Sequence, residues 1–400
     1  MIARHLTPAL RQAAESWPVV TVTGPRQSGK TTLVRAVFPG HLYVSLEAPD
    51  VRERALSDPR GFLAQGDRMI LDEIQRVPDL LSYIQVLVDD DDRPGRFIVT
   101  GSQNILLMES VSQTLAGRTA LLRLYPFSLA EIRGLPPVDP FTLDRDAPTG
   151  RPAGSLPADG LWETLAAGFY PPVHDRGIAA NEWFGDYFRT YVERDLREVL
   201  RVADLRAFET FMRLAAARTA SELNLNSLAG DAGVTQTTAR RWLTALEIGY
   251  LAATLPPHHI NYRKRLRKRP RLHFLDTGLI CYLLGIRDGA TLERHPLRGA
   301  IFESFVVAEL IKAFAAMRRD APLFFWRDAT GHEIDVLIDA GDRLIPMEIK
   351  SGQTVAHDAM RTLDWWTSIP ANPNRGGVLV HGGGERFALR DYQVLPWFLR

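Results

Sequence analysis

The chain has 400 residues, more than one hydrophobic core usually serves, so two or three domains are expected. A hydrophobic content of 46% supplies those cores, while a formal net charge of +1 excludes a globally basic nucleic-acid binder and leaves only local patches. The single Cys281 excludes an internal disulfide, residues Met1 to Pro8 lack the apolar core of a signal peptide, and no uncharged apolar stretch could span a bilayer. A cytoplasmic protein with no membrane partner is the expectation.

Val19 to Thr23 is a β-branched run suited to a buried parallel strand, and Thr31 to Phe38 can follow as a helix. Between them Gly24, Pro25, Arg26, Gln27, Ser28, Gly29, Lys30 and Thr31 spell a complete G-x-x-x-x-G-K-S/T phosphate loop, with Thr32 next. In that context Gly24 and Gly29 bring backbone N–H groups close to phosphate oxygens at a helix N-terminus. Lys30 is placed for the β- and γ-phosphates of ATP and the Thr31 hydroxyl for Mg2+.

His41 to Leu46, Arg68 to Glu73, Arg96 to Ser102 and Ala120 to Leu124 read as further strands, with a helical pattern at Leu80 to Val88 between them. Such alternation predicts an open parallel sheet with the nucleotide at its strand C-terminal edge. Asp72 closes its strand where a carboxylate can hold Mg2+, and Glu73 follows where a carboxylate can polarise an attacking water. Ser102 or Gln103, at the end of the next strand, is placed to sense the γ-phosphate. Arg118 is the candidate guanidinium for transition-state charge, supplied from a neighbouring subunit of a homo-oligomer or in the same chain, with a surface or capping role as the alternative.

Residues 134–160 hold six prolines and four glycines and read as a linker or excursion between a first domain over 1–133 and a helical segment over 161–275. Glu182 to Glu193 repeats apolar positions at helical spacing. Asn226 to Leu243 has the form of a helix-turn-helix, with Leu228 and Ala229 in a short first helix, Gly233 in the turn, Val234 as a packed plug and Thr235 capping the second helix. That leaves Gln236, Thr237, Arg240 and Arg241 available to a DNA major groove, although many such units only contact protein. Arg263, Lys264, Arg265, Arg267, Lys268, Arg269 and Arg271 then place seven basic residues within nine, a run suited to phosphate contact or to a solvated surface.

A last domain is expected over 276–400, in which strand signals return from about residue 322, at Leu323 to Trp326, Glu333 to Ile338, Leu344 to Ile349 and Gly377 to Val380, with helical patterns at Ile301 to Phe314 and His357 to Trp366. A second, mixed sheet is implied. Side-chain direction repeats every second residue, so Glu333 shares a face with Asp335 and Glu348 with Lys350. Asp335 and Glu348 could meet across the strand pair to bind Mg2+ or Mn2+, with Glu303 completing the cluster and Lys350 orienting water, or the four could be ordinary surface charge.

Taken together, Gly24 to Thr31, Ile70 to Glu73, Val99 to Ser102, Leu272 to Gly278, Phe302 to Val307, Gly331 to Asp335 and Met347 to Gly352 resemble a family of prokaryotic ATPases in which an AAA-like domain is joined to a DUF4143 domain. The resemblance covers nearly the whole chain. It implies a parallel five-stranded P-loop sheet with Glu73 as hydrolytic glutamate. It further implies a winged helix followed by a PD-(D/E)XK nuclease-like core, with Asp335, Glu348 and Lys350 on the matching positions and Ile334 where the motif name has proline. The expected activity is Mg2+-dependent ATP hydrolysis coupled to DNA engagement, with metal-dependent DNA cleavage as an open addition. The competing expectations are a nucleotide-operated switch that binds without cutting and a remodeller of a protein partner.

Overall fold

In a computed structural model the described residues are 2–102, 114–145, 149–150, 160–190, 204–258, 269–328, 330–356, 358–369 and 376–400. They pack as two compact units, one formed by Met1–Phe127 with Ile248–Tyr250 and Ala315–Arg319, the other by Ser128–Glu247, Leu251–Phe314 and Asp320–Arg400.

The first unit is built on β1 (Val19–Gly24), β2 (Leu42–Ser45), β3 (Met69–Asp72), β4 (Phe97–Ser102) and β5 (Thr119–Arg123). These strands pair in the order β2-β3-β4-β1-β5, every pairing parallel. Alternation divides the strand residues between two cores. Val19, Met69, Leu71, Phe97 and Val99 pack with Leu80, Leu81, Ile84 and Val88 of the helix Leu80–Asp90. Val20, Val22, Ile70, Ile98, Ala120 and Leu122 pack on the other side with Leu10 and Ala13 of the helix Thr7–Ser16 and with Leu33 and Val34 of the helix Lys30–Val37. Both faces being covered explains why the strands read as continuous apolar runs. The expected parallel sheet is thus present, and its C-terminal edge carries the phosphate loop. Tyr250 belongs to this unit, where its hydroxyl lies 3.0 Å from Thr23 Oγ1 and its ring meets Tyr125 edge-on.

The second unit opens with short helices and then runs helix Leu205–Ala217, β6 (Ser221–Glu222), helix Leu225–Asp231, helix Gln236–Ile248, β7 (Ala252–Leu255) and β8 (Arg271–Phe274). The three strands form an antiparallel sheet in the order β6-β8-β7. A six-stranded mixed sheet follows, from β9 (Leu323–Arg327), β10 (Glu333–Asp339), β11 (Leu344–Lys350), β12 (Gly377–His381), β13 (Phe387–Leu389) and β14 (Tyr392–Pro396), in the order β13-β14-β12-β11-β10-β9. The helix Arg361–Ser368 covers one face, burying Leu363 and Trp366 against Ile334, Leu337, Leu379 and Val394.

Backbone and side-chain contacts tie the sheets of this unit together. Past β7 the chain continues along β9, with His258 N donating to Phe325 O at 2.6 Å and Phe325 N to Pro256 O at 3.1 Å. Arg327 on β9 also pairs with Glu222 on β6 at 2.7 Å. The proline-rich stretch is fastened as well, since Arg343 donates to Asp144 and to the Phe141 carbonyl, and Gly150 bridges to Arg386.

Leu337 is fully buried in the C-terminal core, so Leu337→Ala is expected to cost about 2–5 kcal/mol through lost contacts and a residual cavity. Urea unfolding followed by tryptophan fluorescence checks this.

Candidate functional site

The phosphate loop leaves β1 at Gly24, where an added Cβ would lie 2.0 Å from the Leu124 carbonyl oxygen, so no larger residue fits. Gly29, at φ 90°, turns the chain into the helix Lys30–Val37 and leaves that helix's first N–H groups directed at the loop. Ser28 is fully buried and its hydroxyl oxygen has no hydrogen-bond partner. Lys30 is 5% exposed and donates to the carbonyls of Gly24 at 3.0 Å and Pro25 at 2.9 Å. Burial pulls its ammonium down to about 8, against the opposing charges of Glu73 and Asp72 and with help from Arg26. Gln27 and Thr32 are exposed beside it.

Asp72 is the anionic counterpart. Its buried carboxylate accepts from Thr31 Oγ1 at 2.9 Å, from the Tyr43 hydroxyl at 2.9 Å and from the Thr100 hydroxyl. Burial first, and the Asp72 charge second, push the Tyr43 phenol up to about 12, so it remains a donor. Mg2+ binds proteins through one or two oxygens and keeps waters and substrate phosphates as its other ligands. The adjacent Thr31 hydroxyl and Asp72 carboxylate fit that requirement. Glu73 follows at φ 59° and ψ 46°, a left-handed conformation costing a non-glycine residue about 1–2 kcal/mol. The turn carries its carboxylate out of the strand, and the Gln75 amide donates to it. Ser102 ends β4 in register with Gly24, next to the loop, whereas Gln103 lies outside the described residues.

Arg118 is not brought to this site by its own chain. It precedes Thr119, which pairs with Val19 at the start of β1, so it stands at the opposite edge of the sheet, roughly 17 Å of strand from the loop. Its guanidinium is held by Asp89 on the helix Leu80–Asp90 at 2.9 Å. The register instead sets Arg123 beside Thr23, immediately before the loop. Arg4, before the first helix, was not among the sequence candidates. It donates to the carbonyls of Ser28 at 2.8 Å and Tyr125 at 2.6 Å and lies over the Phe127 ring, bracing the phosphate loop from behind. No motif announces it, because an isolated basic residue near a chain start carries no pattern.

In the second unit the helix-turn-helix forms as expected. Gly233 has φ 69°, Val234 N donates to Ala229 O at 2.9 Å, and Thr235 Oγ1 accepts from Thr238 N at 3.2 Å to cap the helix Gln236–Ile248. Ala239, Trp242, Leu243 and Leu246 are buried, which leaves Gln236, Thr237, Arg240 and Arg241 exposed on the opposite face. Arg263, Lys264, Arg265, Arg267 and Lys268 lie outside the described residues.

The acidic residues of the C-terminal core do gather. Val336 pairs with Met347 across β10 and β11, which sets Asp335 opposite Glu348. Lys350 Nζ lies 2.9 Å from Glu348 and 3.8 Å from Asp335, and Ile349 N donates to Asp335 at 2.9 Å. Burial, and then the charge of Asp335, hold the Glu303 and Glu348 carboxyls above the usual carboxylate range. Burial tends to lower the Lys350 ammonium, but Asp335 and Glu348 outweigh it and raise it.

Two features of the cluster depart from the sequence expectation. Arg271, counted there among basic residues suited to phosphate, turns inward from β8 instead. It meets Glu303 at 3.2 Å, Asp335 at 3.8 Å and also Glu333. Among the described residues no group of three or more His, Cys, Asp or Glu side chains is disposed to hold a metal ion. As arranged, Glu303, Asp335 and Glu348 do not fit the expected divalent cation.

A family model described as an AAA domain matches residues 16–133, and one for the domain of unknown function DUF4143 matches residues 298–399. The chain belongs to the family of AAA-type P-loop ATPases that carry a C-terminal DUF4143 domain. A further domain of unknown function, DUF8612, matches residues 158–290. Uncharacterized protein Rv2008c of Mycobacterium tuberculosis and Uncharacterized protein Mb2031c of Mycobacterium bovis are each 36% identical over 357 residues, covering 88% of this chain and 74% of theirs. Among solved structures the chain is similar to the Walker-type ATPase PABY2304 of Pyrococcus abyssi, at 14% identity and TM-score 0.41, covering 71% of this chain and 96% of that one. AMPPCP-bound DnaA from Aquifex aeolicus is similar at 14% identity and TM-score 0.29, covering 60% and 85%. The AAA-domain match and the phosphate loop give the N-terminal unit the fold and loop for ATP binding and hydrolysis. No helix among the described residues is long and apolar enough to cross a membrane.

Lys30→Ala is expected to abolish ATP turnover, and Glu73→Gln to lower kcat by at least ~10²-fold, both in a phosphate-release assay. Phosphate pairing needs the Lys30 ammonium, which is lost as pH rises through about 8, so kcat/KM for ATP should fall about tenfold per pH unit above that value. Arg4→Ala, removing two charge-assisted hydrogen bonds, should raise KM for ATP about tenfold, as steady-state kinetics would report.

Proposed function

We propose that this protein is a Mg2+-dependent ATPase whose nucleotide state governs engagement of DNA by its helix-turn-helix segment. The observation that carries this reading is the exposed face of the helix Gln236–Ile248, where Gln236, Thr237, Arg240 and Arg241 stand clear of the buried Trp242 and Leu246. A helix that buries one stripe and presents glutamine, threonine and arginine on the other has the donors that read base edges and phosphates. The basic run into Arg269 adds sequence-independent phosphate affinity.

Coupling has a physical starting point at Tyr250. This residue follows the helix Gln236–Ile248 in the chain, and its hydroxyl meets Thr23, the residue before Gly24. A shift of β1 on binding ATP would be felt there. Within the same reading, Asp72 and Thr31 hold Mg2+, Glu73 orients water, Lys30 and the loop amides neutralise phosphate, and Arg118 serves only from a neighbouring subunit. The ion supplies charge neutralisation on the phosphates.

A second reading concerns the C-terminal core. Arg271 lies among the carboxylates on which cleavage would depend, which favours an ATP-operated switch whose core binds without cutting. Under either reading, fluorescence anisotropy with duplex DNA should show affinity falling steeply with salt. Arg240→Ala or Arg241→Ala should each flatten the log–log salt slope by roughly one unit if the arginine pairs a phosphate. Unchanged affinity in both variants, with ATP turnover indifferent to DNA, would sink DNA engagement and leave a protein partner as the target.

A further inference from the structure

The sequence expectation assigned a divalent cation to Asp335, Glu348 and Glu303, yet the cluster already contains a cation of its own. The Arg271 side chain is only 4% exposed. Its Nη1 lies 3.2 Å from Glu303 Oε1 and 3.8 Å from Asp335 Oδ1, its Nη2 bonds Glu333, and its guanidinium lies 4.8 Å from the centre of the Phe325 ring. Three carboxylates from a helix and from β10 therefore converge on one planar, permanently charged group. Guanidinium suits that task, since its donors fan out in a plane and it is less strongly hydrated than an ammonium.

Arg271 is delivered by the fold. It begins β8, the central strand of the three-stranded sheet, and its backbone is paired on one side with Glu222 and on the other with Leu255. The strand cannot withdraw without breaking that sheet. A second observation points to unfilled capacity in the same place. Glu348 is 2% exposed and its Oε1 is buried without a hydrogen-bond partner, while Oε2 is taken by Lys350. A buried carboxylate oxygen left unpaired is costly and marks a position where a further positive ligand would be welcome.

We propose that Arg271 is the resident cation of this acidic cluster and that it excludes a divalent ion from it. A divalent ion sharing Asp335 and Glu303 with the guanidinium would meet like charge at near contact, in surroundings with little water to screen it. The two cations are therefore mutually exclusive. While the guanidinium is in place, Asp335, Glu348 and Glu303 are not available together to a hard divalent ion. This holds whether or not DNA is the partner of the helix-turn-helix.

The test is Mn2+ binding by full-length, nucleotide-free protein, read by electron paramagnetic resonance of free Mn2+. An Asp72→Asn background keeps the ATP site from contributing. Arg271→Met, which keeps length and removes charge, should bind one Mn2+ at least about tenfold more tightly than the parent protein. Adding Asp335→Asn should abolish that gain. Equal affinity in the parent and in Arg271→Met, lost on Asp335→Asn, would show that the arginine does not compete. Absence of binding in folded Arg271→Met would show that the cluster is not a cation site. Should Arg271→Met fail to fold, Arg271→Gln decides: it keeps amide donors for the carboxylates and removes the charge, so Mn2+ affinity must exceed that of the parent, and equal affinity overturns the proposal.

Discussion

A charge taken out of water must find fixed partners or surrender its ionisation, and this requirement shapes both units of the protein. At the phosphate loop Lys30 is buried to 5% exposure, and two carbonyls of its own loop hold the ammonium. Asp72 is buried within reach of three hydroxyls contributed by the loop helix, by β2 and by β4. Lys30 is held by its own loop, whereas the partners of Asp72 lie far from it in sequence. Strand order β2-β3-β4-β1 brings Tyr43, Asp72, Thr100 and Thr31 to one edge, because parallel strands end together.

The same constraint is met differently in the second unit. There Glu303, Glu333, Asp335 and Glu348 gather, and Arg271 and Lys350 pair with them. The arginine comes from the three-stranded sheet and the acids come from the six-stranded sheet and a helix. Their ion pairs reinforce the backbone continuity between Pro256, His258 and Phe325. Charge that reads in the sequence as two separate surfaces, one basic and one acidic, is in part a single internal contact.

Function in the first unit follows from where the strands end. Gly24, Asp72 and Ser102 close β1, β3 and β4 at one edge, and Glu73 is turned outward there by a left-handed backbone. Arg4 reinforces that edge from outside the segment matched by the AAA domain. The opposite edge holds Arg118 against Asp89, while the register sets Arg123 beside Thr23 at the loop edge.

The amino-acid sequence by itself determined whatever depends on residues a few positions apart. The phosphate loop, the Asp72-Glu73 strand end, the five parallel strands and the capped helix-turn-helix were all legible, because steric loop geometry, alternation and capping act within a handful of residues. The folded structure decided what depends on pairing across the chain. It moved Arg118 to the far edge through the Val19 to Thr119 register, brought Arg4 to Ser28, set Tyr43 and Thr100 on Asp72, and turned Arg271 from the basic run into the acidic cluster. In each case the side chain's partner lies at least 24 positions away, and no local preference encodes which strand edge or interior it will face.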